Sequence, residues 1–433
     1  MLLLAVSALG AKAQSTATTS SPYSRYGIGD FDPSILPQSR AMGGISTAIN
    51  KISNFNTINV QNPASYGAIN YTTFDIGIYS NIVNLSQTGQ TSVSNANFRL
   101  SHVNFAVPVS HRSALSFGLM PYTEVGYNYK QTRPNFGTGS PTDTNAVNYI
   151  YSGDGGLSKA YLGYGFGLGK HLLLGANISY IFGNLIQNSD TEVPSLYGTL
   201  NSRIQQSNAI GGWNYDYGLQ YSFDWSNNTK HVILGYSAQG SSNIRSTATY
   251  IVSQYTYDAQ GNQNTPADSI INRTSANSHI KLPQVNHFGV SYQHDGHYLI
   301  GADFTLGNYS TLSVNGTNAG FQNSKTFNIG GQITPNSNAL RNYFARVDYR
   351  AGFIYDDTYL SFNNTSIKRY AATFGLGLPL APGQNLTTFY KINVSAEVGK
   401  RGTLENSLVK ENYVNIHLGF TLNDKWFQKY KFQ

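Results

Sequence analysis

The chain has no cysteine in 433 residues. That excludes disulfides, thiolate metal sites, a thiol nucleophile and a lipid anchor on cysteine. Charge is scarce: Asp, Glu, Lys and Arg together make up 11%, where soluble domains carry about 25%. Long apolar runs are missing too, since no stretch approaches the roughly 18 uninterrupted apolar residues of a membrane-crossing helix. A clustered basic face is also absent. The net charge of +7 is scattered, and Arg112, Lys170 and Lys230 sit in tight turns, so the pattern that nucleic-acid binding requires is not there.

What is present is aromatic and glycine-rich: 13% aromatics, with 32 Tyr and 43 Gly, at a mean hydropathy of −0.30. Low charge combined with uncharged polar residues, Tyr and Gly suits an all-β transmembrane antiparallel barrel, apolar outside and polar inside. The last regular stretch, Tyr413–Leu422, shows the pattern that organises the chain. Val414, Ile416, Leu418, Phe420 and Leu422 alternate with Asn415, His417, Gly419 and Thr421. That is the period of a strand with one apolar face.

The same alternation recurs through Phe74–Ile78, Val103–Val109, Leu115–Tyr129, Ala160–Leu168, Leu174–Phe182, Trp213–Trp225, Val232–Ala238, Phe288–Tyr292, Tyr298–Leu306, Phe327–Ile333, Tyr343–Tyr355, Tyr370–Leu378 and Ile392–Val398. With the last stretch this predicts about 14 strands, and bacterial single-chain barrels have an even number. Short connections (Ser110–Arg112, Gly169–Lys170, Ser226–Thr229, His294–Gly296, Thr334–Ala339, Ala381–Gln384) alternate with longer ones (Leu85–Ala96, Gln131–Asp154, Gln187–Ser207, Thr247–Pro283, Thr311–Asn323, Asp356–Asn364, Lys400–Glu411). Short periplasmic turns and longer outer loops alternate in this way in outer-membrane barrels. The expected organisation is a secretory signal at 1–13, ending in Ala11-Lys12-Ala13 with no Lys or Arg ahead of its apolar run. An irregular segment at 14–70, a barrel at 71–423 and a tail at 424–433 follow.

Trp213 and Trp225 share the apolar face of one strand, twelve residues apart. At about 3.3 Å per residue and a tilt near 40° they stand roughly 30 Å apart along the axis. They read as one residue in each aromatic girdle, or as two tryptophans of a buried core. The opposite face carries Asp75, Glu124, Lys159, Asp216, Asp224, Asp303, Arg346, Asp348, Arg350, Lys391 and Glu397. Both signs are present, which fits paired charges lining a lumen, structural or along a substrate path. Histidines fall mostly in turns (His111, His171, His231, His294, His297). No Ser–His–acid set, metal spacing or phosphate loop is evident, so the expectation is a non-enzyme without cofactor or metal.

Several short motifs together carry a family resemblance. Arg40-Ala41-Met42-Gly43-Gly44, followed by Asn62-Pro63-Ala64, resembles the N-terminal plug region of FadL/TodX-type outer-membrane transport proteins. Leu282-Pro283, Asp303-Phe304-Thr305 and Arg350-Ala351-Gly352-Phe353 occur in an order similar to that family's. Ser21-Pro22-Tyr23-Ser24-Arg25, Gly155-Gly156-Leu157, Tyr161-Leu162-Gly163 and Gly175-Ala176-Asn177 look like its Bacteroidetes, PorV-like branch. The resemblance implies a fourteen-stranded barrel with an N-terminal plug, passive uptake of hydrophobic molecules such as long-chain fatty acids, and lateral exit at a kinked third strand. Gly118-Leu119-Met120-Pro121-Tyr122 lies in that strand. A proline inside a sheet marks an edge or a bulge, so Gly118 and Pro121 are gate candidates, with a harmless bulge as the other reading. No Lys or Arg here matches the family's carboxylate-binding positions. Some relatives of this fold dock in multiprotein outer-membrane complexes instead, and a non-transporting docking barrel is the alternative. The tail, with Trp426, Phe427, Tyr430 and Phe432 among lysines, is either a partner surface or part of the inner girdle. Expected partners are outer-membrane lipids and lipopolysaccharide, a hydrophobic ligand and other outer-membrane or periplasmic proteins.

Overall fold

The computed structural model describes residues 21–52, 55–136, 145–194, 199–226, 229–258, 260–264, 269–381 and 388–426. The expected signal at 1–13 and residues 427–433 of the expected tail lie outside them. The wall is built from β1 (Thr72–Ser86), β2 (Val93–Ser110), β3 (Ser113–Pro134), β4 (Ala146–Leu168), β5 (Leu172–Glu192) and β6 (Asn201–Trp225). Three broken staves follow: β7 (Lys230–Gln239 and Asn243–Tyr255), β8 (Ser269–Lys281 and Val285–His294) and β9 (Tyr298–Gly307 with Ser313–Val314). The last five are β10 (Ser324–Ile333), β11 (Asp348–Phe362), β12 (Thr365–Pro379), β13 (Phe389–Gly402) and β14 (Lys410–Asp424). Both pieces of β7 pair with β6, which makes them one stave. Neighbours pair antiparallel all the way round, and β14 closes on β1 from Asp424↔Thr72 to Lys410↔Ser86. The result is a closed barrel of fourteen staves.

Alternation sorts the side chains as the pattern requires. Phe117, Leu162, Trp213, Tyr215, Phe288, Ile300, Phe374 and Leu418 are exposed on the outside. Asp75, Asn104, Ser116, Asn177, Ser179, Asp303, Thr373 and Thr421 are buried on the inside. Such a surface is stable only when lipid covers the outer face.

The staves run further than the apolar alternation predicts. Thr247–Pro283 is not a free loop but largely the paired ends of β7 and β8, and Asp356–Asn364 shrinks to a two-residue turn at Asn363-Asn364, both at positive φ. These outer stretches are rich in Ser, Thr, Asn and Gln. Where no lipid covers a face, pairing continues without apolar alternation, so periodicity loses sight of it. The connection after β10 is longer than the predicted Thr334–Ala339. It holds a four-residue helix, Tyr343–Arg346, and β11 starts only at Asp348. Arg346 therefore ends that helical turn rather than standing on the strand, with its guanidinium 5.6 Å from the Tyr343 ring.

Residues 21–52 and 55–71 lie against the inward face. Ala41, Met42, Ala48, Ala64 and Tyr66 are fully buried. The segment contributes to three apolar clusters, one of them Leu36, Ile58, Val60, Tyr66 and Ile69 with Ala106, Ala114, Met120 and Tyr161 of the wall. Its backbone rests where wall residues are glycine. A Cβ on Gly330 or Gly352 would strike Met42 or Gly43, and one on Gly165 or Gly175 would strike Pro63. Gly43 and Gly44 themselves have φ of +70° and +81°, which favours glycine.

Candidate functional site: the lumen and a lateral opening

The wall is incomplete on one side. Pairing of β2 with β3 runs from Ser110↔Ser113 to Val103↔Leu119 and stops there. Above it, β2 continues paired with β1, and β3 continues paired with β4. Gly118 lies at the last close approach, where a Cβ would meet the Val103 carbonyl at 2.6 Å. Pro121 lies just past the last paired residue, Leu119, and the β3–β4 register shifts between Pro121 and Thr123. Proline offers no N–H to a ladder, so pairing lapses there for a stated chemical reason. The opening is lined by Leu100, His102, Met120 and Pro121 and has a volume of about 350 Å³.

The free edge of β3 takes a partner from inside. A two-residue strand, Asp30–Phe31, pairs antiparallel with Thr123 and Glu124, and the Asp32 N–H donates to the Tyr122 carbonyl at 3.0 Å. The Ser24 hydroxyl exchanges hydrogen bonds with Gly126 at 3.0 and 3.2 Å. Phe31 is held edge-on by Tyr122, Tyr309 and Tyr359, with ring centroids 5.2–5.8 Å apart.

Inside lies a cavity of about 360 Å³ lined by Asp30, Arg40, Arg99, Glu124, Arg369 and Arg401, among others. Most of its charges are paired. Arg401 grips Asp30 through two contacts of 2.8 Å, Lys159 meets Asp216 at 2.6 Å, and Arg369 meets Asp356 at 3.3 Å. Arg99 and Glu124 line both this cavity and the wall opening.

Asp303 and Glu397 also line this cavity, while the other sequence-predicted residues fall into separate groups. The Asp303 carboxylate accepts from the Ser46 and Thr47 N–H groups at 2.7 and 2.8 Å. Asp348, Arg350 and Lys391 form a buried cluster. Asp75 accepts from Thr421 and pairs with His102, each at 2.6 Å. Glu397 accepts from the Tyr413 hydroxyl at 2.7 Å. Arg40 pairs with Asp32, and Asn62 caps the helical turn Pro63–Ala68 by accepting from the Ala64 N–H at 3.1 Å. Trp213 and Trp225 both face outward; Trp225 stacks on Tyr292. In the internal segment, burial and the neighbouring Tyr161 push the Tyr66 hydroxyl well above its ordinary pKa, so it remains neutral. Sequence reasoning missed Arg99, Asp32, Asp30 and Arg401, because the pairs Arg99–Asp32 and Arg401–Asp30 join residues 67 and 371 positions apart. No group of three or more His, Asp or Glu residues stands in metal-holding geometry among the described residues.

No curated protein matches the chain. Among solved structures, the Pseudomonas putida toluene transporter TodX matches with a TM-score of 0.57 at 13% identity, over 92% of this chain and 100% of that one. The Ralstonia pickettii toluene transporter TbuX gives 0.55 at 15%, over 90% and 98%. A Pseudomonas aeruginosa FadL homologue gives 0.56 at 12%, over 92% and 100%. The shared feature is the fold. The closed fourteen-stave barrel with its apolar exterior locates the protein in the bacterial outer membrane. A family model described as BamG matches residues 1–433, and the chain therefore belongs to the BamG family.

Proposed function

We propose that this barrel is an outer-membrane channel through which a hydrophobic small molecule moves from the lumen sideways into the membrane, with residues 14–70 as its plug. The observation that carries the reading is the parting of β2 from β3 at Pro121 beside a cavity that reaches the same place. In this reading Arg40, Gly43, Gly44, Asn62, Pro63 and Ala64 seat the plug, Gly118 and Pro121 shape the exit, and Trp213 and Trp225 mark the membrane boundaries. The named solved structures include toluene transporters, which supports a hydrophobic cargo.

The native chain has no cysteine, so an R99C/E124C variant carries a unique thiol pair across the opening. Bridging it with a short cleavable bis-maleimide is expected to cut uptake of a fluorescent long-chain fatty acid into proteoliposomes at least tenfold (on the order of 1.4 kcal/mol in effective barrier). Cleaving the bridge should restore uptake. Unchanged uptake in the bridged form would refute lateral exit. Pro121→Ala is expected to slow the same uptake, and a rate equal to that of the parent chain would remove Pro121 from the exit.

A second reading, a non-transporting subunit docked in a multiprotein outer-membrane complex, is favoured by the lumen. Ion pairs interrupt the apolar lining of its cavity, and the family name fits an assembly setting. Native mass spectrometry after gentle extraction from the native membrane separates the two. A reproducible adduct of fatty-acid or hydrocarbon mass supports the channel, and stoichiometric protein adducts with an empty lumen support docking.

A further inference from the structure

Where the backbone ladder between β2 and β3 lapses, one side chain spans the opening. Arg99 projects from β2 beyond Val103, the last residue of that strand paired to β3. One guanidinium nitrogen pairs with Glu124 of β3, and another meets Asp32 of the internal segment at 3.2 Å. The guanidinium carbon lies 4.7 Å from the centre of the Tyr79 ring of β1. Asp32 is shared, since its other oxygen is held by Arg40. The arginine, its two carboxylates and Arg40 are each between 13% and 22% exposed at the side chain. Water screens them weakly, and ion pairs in such places are worth more than those on open surfaces.

We infer that Arg99 is an electrostatic latch: it holds the parted edges of β2 and β3 together and ties their separation to the position of the internal segment. The inference rests on reading the β2–β3 gap as an exit. Two features make the coupling specific. Asp30 and Phe31 form the strand that occupies the free edge of β3, and Asp32 is the next residue. A shift of this segment that breaks its pairing with Thr123 and Glu124 also strips one carboxylate from Arg99. The far end of the same short strand is pinned by Arg401 of β13, so movement of Asp30–Asp32 requires two ion clusters to break in concert. Lysine replaces arginine only in part here, because a single ammonium lacks the planar fork that reaches two carboxylates at once.

The test uses spin labels at Phe98→Cys on β2 and Asn128→Cys on β3, both exposed positions outside the cluster, with label-to-label distances measured by pulsed electron resonance in lipid nanodiscs. In an otherwise native chain a single narrow distribution is expected. Arg99→Gln should shift it to longer distance and broaden it, Arg99→Lys should fall between, and Asp32→Asn should move it the same way by less. Should Arg99→Gln fail to fold, Asp32→Asn keeps the Arg99–Glu124 pair and still reads the coupling. Distributions identical to the parent's in Arg99→Gln and Asp32→Asn overturn the latch. The outcome is separate from the transport reading. Distances that move while fatty-acid uptake is absent in every variant leave the latch standing and the channel refuted. A bridged pair that blocks uptake while Arg99→Gln leaves distances unmoved does the opposite.

Discussion

Asp348→Ala should lower the barrel's stability by about 3–5 kcal/mol, the range found when one partner of a buried ion cluster is removed. One Asp348 oxygen accepts from Lys391 Nζ at 2.8 Å and from Arg350 Nη2 at 2.9 Å. The other accepts from the Thr334 hydroxyl at 2.7 Å. The three charged side chains are 8% exposed or less. Arg350 keeps Gln332 at 2.7 Å and Asn393 at 2.8 Å as neutral partners, but neither neutralises its charge. Truncation leaves two cations facing each other without a counter-ion. Thermal unfolding in detergent, followed by circular dichroism, measures the loss. A triple variant, Asp348→Leu with Arg350→Met and Lys391→Met, should recover most of it, because replacing a whole buried cluster by apolar side chains is often neutral or better. A loss below about 1 kcal/mol for Asp348→Ala, the value of an exposed pair, would mean that lumen water solvates the cluster.

Gly352→Val should release the internal segment from the wall. A Cβ at this position points at the Gly43 nitrogen and the Met42 carbonyl carbon, both backbone atoms. Backbone in a tight turn cannot step aside as a flexible side chain can, so overpacking here exceeds the usual cost of about 1–3 kcal/mol. The strain is relieved if the turn at Met42–Gly44 lifts away. Lifting also breaks the Gly43 N–H bond to Thr373 at 2.8 Å and exposes Met42 and Ile45. Brief proteolysis of folded protein should then cut within residues 21–70 many times faster than in the parent. Ala351→Val, on the exposed outer face next door, should leave the cleavage rate unchanged. A Gly352→Val barrel with a fully protected segment would show that the turn does not rest on that glycine.

These residues also mark how far the sequence could be read. The outward set of β14, Val414 to Leu422, states its own face, and thirteen similar stretches state the stave count. Lipid enforces that periodicity, so it is visible without the fold. Pro121 announced a lapse in pairing because its missing N–H is a property of the residue alone. Arg99 announced nothing. Its partner Asp32 is 67 residues away, and an arginine on a strand facing a lumen looks the same whether it bridges a gap or lines a wall. Arg346 was misplaced by one structural unit, because Tyr343, Val347 and Tyr349 continue an apparent alternation across a helical turn. The glycines at Gly330 and Gly352 read as sheet weakness until something is seen lying on them.

The enclosed segment sets an order of events in making the protein. Its resting places belong to strands from both ends of the chain: Gly165 and Gly175 early, Gly330, Gly352 and Gly375 late. The seam that completes the cylinder joins residues 72–86 to residues 410–424, a contact of very high sequence separation and so among the slowest to form. Residues of the internal segment precede the whole wall in the chain, yet they are thus among the last to reach their final positions. They must be gathered inside while the cylinder is still an open sheet, or be drawn in through the β2–β3 side before it settles. A nascent chain that closes too early would hold an empty, water-filled cylinder with an unfolded leader outside. Correct assembly is therefore a race between seam closure and the seating of a few small turns on glycine.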